Sequence, residues 1–317
     1  MSRYYLGIDG GQSSTVALIA DETGRVLGRG VAGPCNHVAA DEAARKFKTV
    51  MGACLAQACS EAGLEFDTVE FAAACLGFSG GSEDKEAYSR ALIRSKLFKF
   101  SNDAEIALSG ATAGAPGIVV IAGTGSIAFG RNVDGVTGRA GGWGYIFGDE
   151  GGAFDLTRRA LRAALQFEEG WGPATTLREM LLAATQSANA NSLLHRFYTA
   201  EYPRAKVATL AHLVDDAAQT GDDVAIDILD EAASKLAWLV QGVYRKLFRP
   251  HESAGVSYTG GAFQSKQLCD GFADWISRSI GCTVMPPQLS PAAGAVLEAL
   301  KLDGNDSKLT GMPGAGK

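Results

Sequence analysis

The chain opens with short apolar runs separated by glycine turns. Residues 4–8 (YYLGI) are apolar, then come Asp9, Gly10, Gly11 and the polar stretch Gln12, Ser13, Ser14, Thr15, and a second apolar run covers 16–20. Apolar runs of this length bounded by turn-forming residues predict strand, tight turn, strand. A second turn at 21–24 (DETG) leads to a third short strand over 25–28. The pattern recurs later: an apolar run at 118–122 (IVVIA), the turn Gly123, Thr124, Gly125, Ser126, a strand from 127–129, a turn at Asp134 and Gly135, and a strand over 136–138. Each half is therefore predicted to begin with three antiparallel strands, a repeat of structure with little identity of sequence.

Helical periodicity then alternates with apolar runs. Residues 41–62 carry Ala43, Phe47, Val50, Met51, Cys54, Leu55 and Ala58 at helical spacing, and 69–76 read as a buried strand. A helix over 83–95, a strand over 96–101 and a helix over 103–111 complete the first half. The second half is predicted to be richer in helix, at 151–166, 175–187, 205–219 and 223–248. The last of these is one long amphipathic helix stopped by Pro250. Strand 255–259, helix 262–280, strand 281–285 and helix 291–302 follow. The segment from 303 is polar and glycine-rich and is expected to be a flexible tail. Its end, 311–317 (GMPGAGK), imitates part of a phosphate-binding loop, but no strand precedes it and no Ser or Thr follows the lysine.

Composition narrows the classes. With 317 residues, two domains are the natural expectation. Hydrophobic residues make up 46 % and charged residues 20 %, so the core can be sizeable. A net charge of −6 without a basic block argues against a dedicated nucleic-acid binder. No secretory signal pattern and no run of 18 apolar residues is present, so a cytoplasmic protein with no membrane partner is expected. The six cysteines (Cys35, Cys54, Cys59, Cys75, Cys269, Cys282) form no CxxC pair, which disfavours zinc or iron–sulfur sites. Cys54, Cys59 and Cys75 read as buried small hydrophobes.

The glycines carry the chemistry. There are 40, clustered around 7–11, 77–81, 110–117, 123–125, 138–152 and 255–261. Backbone N–H groups in a glycine turn can point at an anion without Cβ interference. The first turn offers Gly10, Gly11, Gln12 and Thr15, and Asp9 at the strand end is a candidate Mg²⁺ ligand, usually through water. The second offers Gly123, Thr124, Gly125 and Ser126. Either turn alone is also what an ordinary hairpin contains, whereas two facing each other would clamp a triphosphate.

Five segments in order resemble the sugar kinase and actin superfamily: 6–15 (LGIDGGQSST), Asn102, Asp103 and Ala104 onward, 121–126 (IAGTGS), 258–262 (YTGGA) and 291–295 (PAAGA). Within it the chain is similar to the BadF/BadG/BcrA/BcrD ATPase family and its N-acetylglucosamine kinase branch. Asn36 and His37 after the third strand, Ser79 and Gly80 after the strand at 69–78, and 141–151 (GGWGYIFGDEG) carry that finer likeness. The resemblance implies an α/β fold of two ribonuclease-H-like lobes, the actin-like ATPase fold, with a nucleotide cleft between them. The lobes would be residues 1–114 with 289–303, and 115–288 with helical insertions, and 304–317 would be the flexible tail.

It further implies ATP with Mg²⁺ and transfer of the γ-phosphoryl group to an amino sugar, N-acetylglucosamine or a close relative, at the 6-hydroxyl. Asp103 would be the base that accepts the hydroxyl proton, although a helix start is also where an aspartate caps. Asp149 would accept sugar hydroxyls or cap the helix that follows it. Asn36 would bind the sugar or fix the turn after Pro34, with His37, Ser79 and Gly80 beside it. Gly260 and Gly261 would let backbone approach the adenosine, against the plainer role of a strand-to-helix turn. Gly294 and Ala295 are small, as two closely crossing helices require. Gln12 stands where relatives often have glycine, Trp143 suits either a core or a sugar wall, and Glu150 is equally structural or functional. The long helices of the second lobe would suit a homodimer.

Two other classes remain. An ATPase that activates a partner dehydratase or reductase would need cluster cysteines after the second turn, and 123–160 contains none. A non-enzymatic regulator would have no use for both Asp9 and Asp103. Glucosamine and N-acetylmuramic acid stay open as alternative substrates.

Overall fold

The computed structural model describes residues 2–11, 14–35, 40–79 and 83–312. The chain divides into two compact units, Met1–Ala115 with Pro287–Lys317, and Pro116–Pro286. The first contains β1 (Tyr4–Gly10), β2 (Thr15–Asp21), β3 (Val26–Ala32), α1 (Ala40–Glu61), β4 (Phe71–Phe78), α2 (Glu83–Leu92), β5 (Ser95–Asn102) and α3 (Asp103–Ala111). The second contains β6 (Gly117–Ala122), β7 (Ser126–Arg131), β8 (Thr137–Gly141) and the helices α4 (Ala153–Glu168), α5 (Leu177–Thr185), α6 (Ala190–Phe197), α7 (Arg204–Ala208), α8 (His212–Gln219) and α9 (Asp223–Leu247). It ends with β9 (Val256–Thr259), α10 (Lys266–Ile280) and β10 (Val284–Met285), after which α11 (Pro291–Leu302) belongs to the first unit again.

The repeat read from the turns is a repeat of topology. The first sheet has the order β3-β2-β1-β4-β5, and the second, read from its far edge, β8-β7-β6-β9-β10. In both, the first three strands pair antiparallel and the remaining pairings are parallel. This is the ribonuclease-H-like sheet, built twice.

In the first unit both faces of the sheet are covered. Phe47, Met51, Cys54, Leu55 and Ala58 of α1 pack with Leu6, Ile8, Leu76 and Phe78 on one face. On the other, Ala292, Ala293, Ala295, Val296 and Ala299 of α11 pack with Tyr5, Leu18, Cys75 and Ile106. Burial from both sides explains why β4 (FAAACLGF) is apolar throughout rather than alternating. A Cβ on Gly294 would lie 2.0 Å from the Ile106 carbonyl oxygen, and one on Gly110 would lie 2.3 Å from that of Ser290. The backbones of α3 and α11 therefore touch, as the small residues at 294 and 295 suggested.

Beneath that contact lies a polar network. Lys99 of β5 donates to Glu105 of α3 at 2.7 Å and to Glu298 of α11 at 2.6 Å. Ser101 donates to Glu105, and Ser109 donates to Glu298. Glu298 is 3 % exposed, so removing the ammonium would take away a charged partner of a buried carboxylate, a destabilising change. The network fixes α3, which carries Asp103, to both neighbours.

In the second unit α9 buries Ile228, Leu229, Ala232, Ala233, Leu236, Ala237, Val240 and Val243 along one face, at the spacing the sequence predicts. The predicted helix over 205–219 is α7, a 3₁₀ turn (Thr209–Ala211) and α8. The helix expected over 262–280 begins as a 3₁₀ turn (Gly261–Gln264), and α10 starts anew where the Ser265 side chain accepts from Leu268 N–H at 3.3 Å. Helix α6 was not predicted. It starts with a capping box formed by Asn189 and Ser192.

The polar segment after α11, expected to be flexible, lies along the β2–β3 hairpin over its described part. Asn305 donates to the Glu22 carbonyl at 3.0 Å, Thr310 N–H donates to Gly24 O at 2.9 Å, and Val26 N–H donates to Thr310 O at 2.9 Å. Its polar composition reflects backbone pairing at a sheet edge rather than lack of structure.

Candidate functional site

The first unit gathers its candidates at the carboxyl ends of β1, β4 and β5. Asp9 pairs in register with Val16 on β2 and Gly77 on β4, and the residue as a whole is partly buried. Burial, and then the negative charge of Asp103, push the Asp9 carboxyl from 3.8 up to about 7. Gly11 N–H donates to Ser14 O at 3.0 Å, closing the turn. Thr15 is fully buried and donates its hydroxyl to Gly33 O at 2.9 Å, so it ties the turn to the end of β3.

Asp103 is the first residue of α3. The cap is its neighbour: Asn102 Oδ1 accepts from Glu105 N–H at 2.8 Å. Asn102 therefore fills the N-cap position, and the Asp103 carboxyl takes the first two N–H groups of the helix, its own and that of Ala104. Burial raises its pKa, while its own and Ala104's backbone N–H groups and the Lys85 ammonium draw it back down. Lys85, on α2, donates to the Ser79 carbonyl at 2.8 Å and lies 5.3 Å from the Phe78 ring centre. Ser79 is buried, and its N–H donates to Gly10 O at 3.3 Å, so the ends of β1 and β4 are joined.

The second unit builds a denser arrangement around Gly123, Thr124, Gly125 and Ser126. The carbonyls of Gly123 and Thr124 accept from Ala153 N–H at 2.8 Å and Phe154 N–H at 3.1 Å, which fastens the turn to the start of α4. Ser126 is buried, donates its hydroxyl to Glu150 O at 2.7 Å and donates its N–H to Asp149 Oδ1 at 3.3 Å. A Cβ on Gly152 would lie 2.7 Å from the Gly125 backbone, and a Cβ on Gly125 would lie 2.3 Å from Asp149 Oδ2. The GDEG string thus packs against the glycine turn at 123–126. Asp149 does not cap α4, whose cap is Gly152 without a side-chain bond. It sits in the left-handed region at φ +66°, 5 % exposed, and its Oδ2 is ion-paired with Arg204.

Gly260 adopts φ +109°, and a Cβ there would lie 2.3 Å from Ala122 O and 2.8 Å from Gly123 N, so β9 ends against the glycine turn at 123–126. Nothing lies within 4 Å of a Cβ on Gly261, which is exposed and leaves backbone open to a flat ligand. Trp143 is 66 % exposed, which excludes the core role, and the Arg139 guanidinium lies 5.0 Å from its ring centre.

The model of the BadF/BadG/BcrA/BcrD ATPase family matches residues 6–299. The chain belongs to this family. It is 32 % identical over 281 residues to the N-acetylmuramic acid/N-acetylglucosamine kinase of Clostridium acetobutylicum, covering 87 % of this chain and 90 % of that protein. It is 31 % identical to the N-acetyl-D-glucosamine kinase of Dictyostelium discoideum, covering 93 % and 97 %. The solved structure of a Chromobacterium violaceum protein proposed as an N-acetylglucosamine kinase superposes with a TM-score of 0.77 at 27 % identity, covering 93 % of this chain and 98 % of that one.

Family membership carries ATP use. Asp9 is pressed toward protonation by burial and by Asp103, and a divalent cation relieves both. Among the described residues no cluster of three or more His, Cys, Asp or Glu could hold a metal. Among the described residues no helix is long and apolar enough to cross a membrane.

Gln12, Asn36, His37 and Gly80 lie outside the described residues. Of the other candidates, Asp9, Gly10, Gly11, Thr15, Ser79 and Asp103 group in the first unit, and Gly123, Thr124, Gly125, Ser126, Asp149, Gly260 and Gly261 in the second. Three participants were not foreseen. Asn102 adjoins Asp103, and a doublet of two good caps does not announce which one caps. Lys85 and Arg204 reach their partners through the fold, and no local pattern marks them.

Proposed function

We propose that the chain is an ATP-dependent kinase of N-acetylglucosamine or a closely related amino sugar, acting on the 6-hydroxyl. The observation that carries the reading is the pairing of Asn102 with Asp103. The asparagine caps α3, and the aspartate beside it keeps its carboxyl at the helix start with acceptor capacity beyond the two backbone N–H groups it takes, which supports its use as a base. The 32 % identity to a kinase named for N-acetylmuramic acid and N-acetylglucosamine supports the substrate class.

In this reading Asp103 accepts the proton of the attacking hydroxyl, and its neighbour Lys85 favours the ionised form that a base requires. Asp9 holds Mg²⁺, which would supply charge neutralisation at the phosphates. The turns at Gly10, Gly11, Gln12 and Thr15 and at Gly123, Thr124, Gly125 and Ser126 position the phosphates. Gly260 and Gly261 receive the adenosine, with the open side of Gly261 as support. Asn36, His37, Ser79, Gly80 and Asp149 bind the sugar. Catalysis of this kind is mostly positioning and electrostatics. ATP as donor favours a cytoplasmic setting, and the enzyme would act as a monomer or homodimer.

The hydroxyl is tested by phosphorus NMR of the product. A phosphomonoester coupled to the two protons of a primary carbon supports the 6-position. A signal coupled to a single ring proton contradicts it.

A further inference from the structure

Asp149 is held from two sides by its own chain. Oδ1 accepts from Ser126 N–H at 3.3 Å, and Oδ2 pairs with Nη2 of Arg204, the first residue of α7. The guanidinium lies 5.1 Å from the ring centre of Tyr145 and 5.7 Å from that of Phe154, and these two rings meet edge to face at 5.2 Å. The Asp149 side chain is 7 % exposed and that of Arg204 30 %. Nε of Arg204 is buried without a hydrogen-bond partner among the described residues.

An ion pair between two long, exposed side chains contributes little. This pair differs on each point. The acid is buried, and two aromatic rings already restrict the guanidinium, so less freedom is lost in forming the bond. Asp149 also occupies a left-handed backbone conformation that costs a non-glycine residue about 1 kcal/mol or more. Gly125 has no side chain on the side facing the pair, where a Cβ would lie 2.3 Å from Oδ2 and 2.8 Å from Nη2. Four features converge on one carboxylate orientation.

That orientation leaves acceptors over. An ionised carboxylate offers about four lone-pair sites. Ser126 N–H takes one on Oδ1 and Arg204 one on Oδ2, which leaves one on each oxygen. Two acceptors fixed on one planar group suit two hydroxyls of a sugar ring.

We propose that Arg204 is the positioning residue for Asp149, fixing the plane of the carboxylate so that its two remaining lone pairs accept sugar hydroxyls. This rests on the reading of the chain as an amino-sugar kinase. Arg204 touches no substrate, so its removal alters sugar affinity and spares the nucleotide.

The test is steady-state kinetics of the full chain with N-acetylglucosamine and ATP varied separately, for the wild type, Arg204→Met, Arg204→Lys, Asp149→Asn and the double variant Arg204→Met with Asp149→Asn. Loss of a charge-assisted bond predicts a rise in sugar KM of about 10- to 100-fold in Arg204→Met, with ATP KM unchanged. Arg204→Lys recovers part of the loss, millimolar guanidinium lowers the sugar KM of Arg204→Met, and the double variant is no worse than Asp149→Asn. Equal rises in both KM values, additive losses in the double variant, or no rescue by lysine or guanidinium would overturn the proposal. Should Arg204→Met not fold, Tyr145→Leu removes one ring from the stack and keeps the ion pair. It should raise sugar KM less but still spare ATP, and an unchanged sugar KM counts against the proposal. A wild type inert on every amino sugar sinks the kinase reading itself, and this proposal with it. An active wild type with the wrong variant pattern sinks only the role of Arg204.

Discussion

Asp103 stands near enough to Asp9 for its charge, added to burial, to hold the Asp9 carboxyl at about 7. The ordinary value is 3.8, so between about pH 4 and 7 the folded chain binds more protons at this group than the unfolded chain does. The stability that Asp9 contributes is therefore present below about pH 4 and is lost as pH rises through about 7. Asp9→Asn removes the penalty. Without divalent cation the variant should be more stable than the wild type at pH 8, by at most about 4 kcal/mol, and close to it near pH 4. Mg²⁺ should raise the wild-type melting temperature at pH 8 and leave the variant unmoved. Thermal melts at both pH values, with and without Mg²⁺, check this.

The doublet Asn102 and Asp103 separates structure from chemistry. Asn102→Ala removes the cap of α3 and should cost about 1 kcal/mol of stability with modest loss of turnover. Asp103→Asn should leave stability equal or slightly raised, since burial opposes its charge, while turnover falls steeply. A melt and a rate for each variant give the comparison. Similar losses of turnover in both would assign Asp103 a structural role.

Gly125 has no room for a side chain, and Gly52 has ample room. Gly125→Ala drives a Cβ into Asp149 and should cost about 1–3 kcal/mol, with ATP KM raised as the phosphate turn shifts. Gly52 lies in the interior of α1, and a methyl group added there would meet nothing within 4 Å. Gly52→Ala should therefore stabilise by about 0.5–1 kcal/mol and leave both KM values alone. Melts and the two KM values for each variant check the contrast.

The strands and turns were legible because they depend on neighbours in sequence. Asp9, Gly10 and Gly11 end an apolar run, and Gly123, Thr124, Gly125 and Ser126 end another, and both runs are strands at the predicted places. The long helix α9 was legible from its period. What a residue meets across the fold was not. Asp149 was readable as a polar residue at a helix start, but its bond to Ser126 and its pairing with Arg204, 55 positions along the chain, are products of packing. The docking of 305–310 on the β2–β3 hairpin was hidden in the same way, because polar residues that pair through backbone look like a solvated tail.

The most direct measurement is ADP release from ATP and Mg²⁺ across N-acetylglucosamine, glucosamine and N-acetylmuramic acid, for the wild type and Asp103→Asn. The account predicts strong release with one amino sugar and a fall of about 10²- to 10⁴-fold in the variant. Slow release that ignores every sugar, or a variant as active as the wild type, would contradict it.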